Sequence, residues 1–135
     1  MSRRLARQIA FQTLFQIDLG KIDAELALKQ RLAETDLSPR DLEYVKTVVR
    51  GVAKQVTALD AQISDVSKSW QIHRLASTDR SILRLAIYEI VFMDDIPVRV
   101  AINEAVELAK AFGDRDSPAF INGLLGTVAR DGGFQ

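Results

Sequence analysis

The 135-residue chain carries 18 lysines and arginines against 18 aspartates and glutamates, has no cysteine and one histidine, and is 47% hydrophobic. This length supports one compact domain, or two small bundles sharing a core, and the missing cysteines exclude disulfides, thiolate catalysis and cysteine-held zinc or iron–sulfur centres. No apolar run approaches the roughly 20 residues that span a bilayer, and no apolar signal core follows the N-terminal arginines, so the expectation is a soluble, cytoplasmic protein.

A formal charge of zero leaves any nucleic-acid affinity to a local patch. Charge is unevenly spread: residues 1–17 contain Arg3, Arg4 and Arg7 and no acidic side chain, residues 18–75 hold nine of each sign, and residues 76–135 carry nine acids against six bases. Arginines outnumber lysines twelve to six. That balance suits forked contacts to phosphate or carboxylate, although an arginine-rich genome produces it too.

The opening segment has helical periodicity. With successive residues 100° apart, Leu5, Ala6, Ile9, Ala10, Thr13 and Ile17 share one face, sufficient for a core. Arg7, Phe11, Arg4 and Phe15 form a second stripe, with Arg3 and Leu14 at its margin. Guanidinium groups in line with phenyl rings suit a single-stranded nucleic acid, because cations take phosphates while unstacked bases lie on flat apolar faces. Two rings packed on another helix beside a solvated, charged end would give the same pattern. Gly20 follows where a C-terminal cap belongs.

Ser38-Pro39 reads as an N-cap and first turn, with Asp41 able to reach back to the cap and Leu37 to staple onto Leu42. From Leu42 to Trp70 apolar residues recur at alternating steps of three and four, which predicts about seven helical turns, bent near Gly51 or Thr57 if two helices are joined there. Thr78-Asp79 opens a helix through Ile82, Leu83, Leu85, Ala86, Ile87, Ile90 and Val91; it is apolar on nearly every side and so belongs at the centre. Ile96-Pro97 precedes a stripe of Val98, Ile102, Ala105, Ala109 and Phe112 that ends at Gly113. Ser117, a second N-cap, and Pro118 precede a last helix over residues 119–130. No hairpin signal lies between strand-like runs. The pattern predicts an all-α fold of six or seven helices, the N-terminal ones packed on a C-terminal three-helix group.

No catalytic constellation stands out. His73 is the only imidazole and nothing around it suggests a triad. Glu104 and Glu107 have no histidine three residues on, so no di-metal pattern forms and no metal or other cofactor is expected. Phosphate-binding glycine loops are absent from the sequence; Gly123 and Gly126 suit close approach of another helix instead.

The ordered segments Asp79-Arg80-Ser81-Ile82-Leu83-Arg84-Leu85-Ala86-Ile87-Tyr88-Glu89, Ile96-Pro97, Val100-Ala101-Ile102-Asn103-Glu104-Ala105-Val106-Glu107-Leu108-Ala109-Lys110 and Phe120-Ile121-Asn122-Gly123-Leu124-Leu125 resemble the NusB family of transcription antitermination proteins. With Arg3-Arg4-x-Ala6-Arg7 and Gln12-x-Leu14-Phe15, the resemblance covers essentially the whole chain. It implies two packed helical bundles, about residues 1–72 and 73–135, with about seven helices. It also implies a function without catalysis: binding boxA of nascent ribosomal RNA together with the ribosomal protein NusE, and through other Nus factors acting on RNA polymerase.

Carried over residue by residue, the resemblance places RNA at Arg3, Arg4, Arg7, Phe11 and Phe15, and at Asp116 and Phe120 before and within the last helix. Asp79 matches an acidic position near the partner surface. Asn103, Glu104 and Asn122, polar within apolar helices, are expected to tie helices and loops together. The arginine run is shorter than in some relatives, and the tail Gly132-Gly133-Phe134-Gln135 is not basic, which leaves more of the affinity to the partner. Two other readings stand beside this one. A similar domain occurs fused to ribosomal RNA cytosine methyltransferases, although the sequence stops before a cofactor domain could fit. A stripe of Phe11, Phe15 and Phe120 would also serve a homodimer.

Overall fold

The computed structural model describes residues 3–67 and 72–134, without the side chain of His73; Trp70 lies outside the described residues. They form six α-helices, α1 Arg3–Gly20, α2 Ala24–Ala33, α3 Pro39–Val66, α4 Ser77–Phe92, α5 Val98–Phe112 and α6 Ser117–Asp131, with a 3₁₀ turn at Ile72–Arg74 and no strand among them. The all-α expectation holds. Buried side chains from all six helices form one continuous apolar core.

Helix α4 occupies the centre, as its all-round apolar sequence requires: Ile82, Leu83, Leu85, Ala86 and Ile87 are at most 1% exposed. Helices α1, α3, α5 and α6 all pack against it. On α1 the expected core residues Ala6, Ile9, Ala10 and Thr13 are buried, while Leu5 stays at the surface.

Local chemistry sets the helix ends. The Ser38 hydroxyl accepts from the Asp41 backbone N–H at 3.2 Å, capping α3 as expected. The Asp41 carboxylate does not close the capping box; it turns to Arg3 instead. Helix α3 bends at Gln55 (φ −104°, ψ 16°), between the two positions that the sequence suggested. Gly20 ends α1 but the left-handed residue is Lys21 (φ 54°). At α6 the cap position falls on Asp116, whose side chain makes no cap bond, and the Ser117 hydroxyl accepts instead from the Asp114 backbone N–H. No expected element corresponds to α2, which the Asp23 carboxylate caps by accepting from the Leu26 N–H.

Two polar expectations and one glycine expectation are overturned. Asn103 and Asn122 are exposed and join no helices, and Gly123 faces open space, so no helix approaches it. Gly51 does admit a neighbouring helix: a Cβ there would lie 2.2 Å from Cζ of Tyr88.

Candidate nucleic-acid interface

The second stripe of α1 is not the open ribbon that its helical spacing suggested. Arg7 is 4% and Phe11 3% exposed. Helix α5 covers this side of α1: the Phe112 ring lies 5.1 Å from that of Phe11. Arg7 points into the protein and donates from Nε to Oε2 of Glu89 at 2.9 Å. The Tyr44 hydroxyl donates to the same oxygen, and the Arg7 guanidinium stands 5.6 Å from the Tyr44 ring centre. Burial disfavours the Arg7 charge, but the Glu89 and Glu104 carboxylates outweigh it and strengthen its hold on the proton. Burial beside Glu89 likewise pushes the Tyr44 hydroxyl far above its ordinary value, so it stays a donor. This buried trio was missed because its members lie on three helices and are far apart in sequence.

The remaining predicted residues fall into three places. At the start of α1 a cleft of about 770 Å³ is bordered by Arg3, Arg4, Arg7, Arg40, Asp41 and Glu104. Arg3 pairs with Asp41 at 3.1 Å and lies over the Tyr44 ring at 4.4 Å. Arg4 is bound at two points by Glu104, Nε to Oε1 at 3.0 Å and Nη2 to Oε2 at 2.7 Å. Its side chain is still 64% exposed. The hydrogen bond from Arg4 holds the Glu104 carboxyl below its usual range. Glu104 thus does join α5 to α1, as the sequence suggested for it.

Farther along α1, Phe15 borders a groove of about 520 Å³ together with Leu19, Phe112 and Arg31, with Phe11 also in its wall. Leu19 is exposed and Phe112 is 38% exposed, so this is an open apolar surface rather than core. The Arg31 guanidinium lies at its edge and donates to the Gln16 side chain. Phe112 closes the α5 stripe in the helix's last turn, which leaves it partly outside.

The third place holds Asp79, Asp116 and Phe120, which the fold brings to one cavity of about 320 Å³ with Arg74 and Asp114. Thr78 borders the groove and Asp79 this cavity, so the first turn of α4 stands between the two. Oδ1 of Asp79 is buried without a hydrogen-bond partner. Burial pushes this carboxyl upward, opposed by Ser117 and reinforced by Asp114. Asp116 is exposed and Phe120 half-buried.

Among the described residues no group of acidic or histidine side chains could hold a metal ion, and no helix is long and apolar enough to cross a membrane.

A small all-helical protein with arginines at one end of its first helix and an aromatic groove alongside has the surface of a binding protein. The family model of NusB matches residues 4–130. The chain belongs to the NusB family. The transcription antitermination protein NusB of Desulforamulus reducens is 48% identical over 128 residues, 95% of this chain and 90% of the relative. A solved T. maritima NusB superposes with a TM-score of 0.90 at 34% identity, over 97% of this chain and 92% of the other. A structure of the antitermination factors NusB and NusE in complex with dsRNA matches with a TM-score of 0.85 at 27% identity, over 97% and 99%.

Proposed function

We propose that this chain is a transcription antitermination factor of the cytoplasm that binds RNA together with a NusE-type ribosomal protein, its target being boxA of nascent ribosomal transcripts. It acts by binding and not by catalysis, in keeping with relatives that are named for antitermination. The observation that carries this reading is the near full-length match to a NusB that was solved with NusE and RNA.

Within it, Arg3 and Arg4 take phosphates, Phe15 and Phe120 hold unstacked bases, and Asp116 accepts hydrogen bonds from a base edge. Asp79 faces the protein partner. Arg7 and Phe11, being buried, position this surface rather than touch RNA. The homodimer reading loses the Phe11 third of its stripe to the core.

Titrating a boxA RNA into the protein, with and without NusE, over a series of salt concentrations tests the proposal. Affinity falls as salt rises, and Arg4→Ala makes the plot of log K against log salt shallower by roughly 0.7, the value of one single-strand phosphate contact. Affinity indifferent to salt, or no boxA binding even with NusE present, overturns it.

A further inference from the structure

We propose that Arg40, at the start of α3, is an additional phosphate contact for the RNA, and that Glu104 holds Arg4 as a placeholder which an RNA phosphate displaces; this rests on the RNA-binding reading above. The cleft that carries the inference contains four arginines in different states. Arg7 is committed to Glu89, deep in the protein. Arg3 pairs with Asp41 and lies over the face of Tyr44, yet its side chain is still 29% exposed and open to a further anion. Arg40 is exposed and makes no ion pair or hydrogen bond among the described residues. It therefore reaches a phosphate without breaking any existing contact.

Arg4 lies between these extremes. Its planar fork is filled by the two oxygens of Glu104, the same two-point geometry that a phosphate offers. A pair with so exposed an arginine contributes little to stability, so an anion brought in by its neighbouring backbone can exchange with the carboxylate at small cost. Once released, Glu104 still has Arg7 Nη1 3.6 Å away from Oε1. The carboxylate thus keeps a cationic neighbour when Arg4 turns to RNA. In the free protein it screens the Arg4 charge, which disfavours stray anions and leaves extended RNA, able to engage Arg3, Arg4 and Arg40 at once, as the preferred ligand.

Four variants of the full chain, with boxA RNA and NusE as the probe, test both halves. Arg40→Ala is expected to weaken binding about fivefold at 0.1 M salt and to reduce the salt slope by roughly 0.7. Lys54→Ala, the same change of charge about 21 Å farther along α3 at 1.5 Å per residue, leaves both nearly unchanged. Glu104→Gln is expected to strengthen binding about threefold, the scale of an exposed ion pair, and that gain disappears when Arg4→Ala is added. An Arg40→Ala protein that binds like the wild type, or a drop matched by Lys54→Ala, overturns the phosphate contact. Weaker binding by Glu104→Gln, or a gain that survives without Arg4, overturns the placeholder. Failure of the unaltered protein to bind this RNA is a different result and overturns the underlying reading instead.

Discussion

Arg7 and Glu89 meet across the interior at 2.9 Å, one from the first helix and one from the central α4, with side chains 5% and 0% exposed. The Glu89 oxygen that accepts from Arg7 also accepts from Tyr44, while its other oxygen has no partner. A buried pair of this kind is costly to break from one side, because the survivor is left charged and desolvated. Arg7→Ala is therefore expected to lower the unfolding free energy by about 3–5 kcal/mol, read from urea denaturation. RNA affinity of the fraction that remains folded should change far less. A mild stability change joined to a large loss of binding would place Arg7 in contact with RNA after all.

Phe11 and Phe15 are one helical turn apart with rings 6.2 Å apart, yet they are expected to respond oppositely. Phe11→Ala empties a core position and costs about 3–5 kcal/mol. Phe15→Ala and Phe120→Ala remove half-buried rings, leave the protein folded, and weaken boxA binding about tenfold or more if each supports a base. Thermal melts alongside RNA titrations separate the two behaviours; unaltered RNA binding in both of the latter variants would remove stacking from the mechanism.

This contrast shows what the sequence could and could not convey. Periodicity identified the core face of α1, the central α4 and the Ser38 cap, because each depends on neighbours within a few residues. It could not tell that α5 would lie over Phe11, or that Glu89 would draw Arg7 inward, since both depend on residues about 80 to 100 positions away. An arginine beside a phenylalanine on a helix has the same spacing whether it faces solvent or a buried carboxylate. Asn103, Glu104 and Asn122 carry one and the same signal, a polar residue within an apolar helix, and only Glu104 meets a partner on another helix, whereas both asparagines face water.

Asp18 joins α1 to α4 through Arg80 at 2.6 Å and Arg84 at 3.0 Å. Burial opposes its ionised form, but hydrogen bonds from Arg80, Ser77 and Arg84 outweigh this and hold the carboxyl at about 2. The folded value lies below the unfolded one, so the stabilisation is full above about pH 5 and is lost as pH falls toward 2. It amounts to about 2 kcal/mol. Asp18→Asn is expected to remove that amount at neutral pH and to flatten the acid limb of stability against pH. An unchanged acid limb in the variant would assign the acid sensitivity elsewhere.

Asp79 has the opposite sign. Burial raises its carboxyl in the folded state, so the ionised form costs stability at neutral pH and the cost fades as acid protonates it. Asp79→Asn is expected to melt higher at pH 7, with the gain shrinking as pH falls. If the carboxylate is kept for the protein partner, the same variant binds NusE more weakly in a pull-down or calorimetric titration. A variant more stable and equally good at binding NusE would leave Asp79 without a role at that surface.

Two glycines in helices give opposite expectations from geometry alone. A Cβ on Gly51 would lie 2.2 Å from Tyr88, whose ring stacks on Phe92 at 5.1 Å. Gly51→Ala must drive that ring aside and is expected to cost about 1–3 kcal/mol. Gly123 is exposed within α6, with nothing within 4 Å of the same added carbon. Alanine there keeps the helix and restricts the unfolded chain, so Gly123→Ala should add about 0.5–1 kcal/mol. Denaturation midpoints of the two single variants measure both effects. A destabilising Gly123→Ala in the isolated protein would contradict the open space around it, whereas a stabilised variant that no longer joins NusE and RNA would mean that this bare stretch of α6 is covered in the assembly.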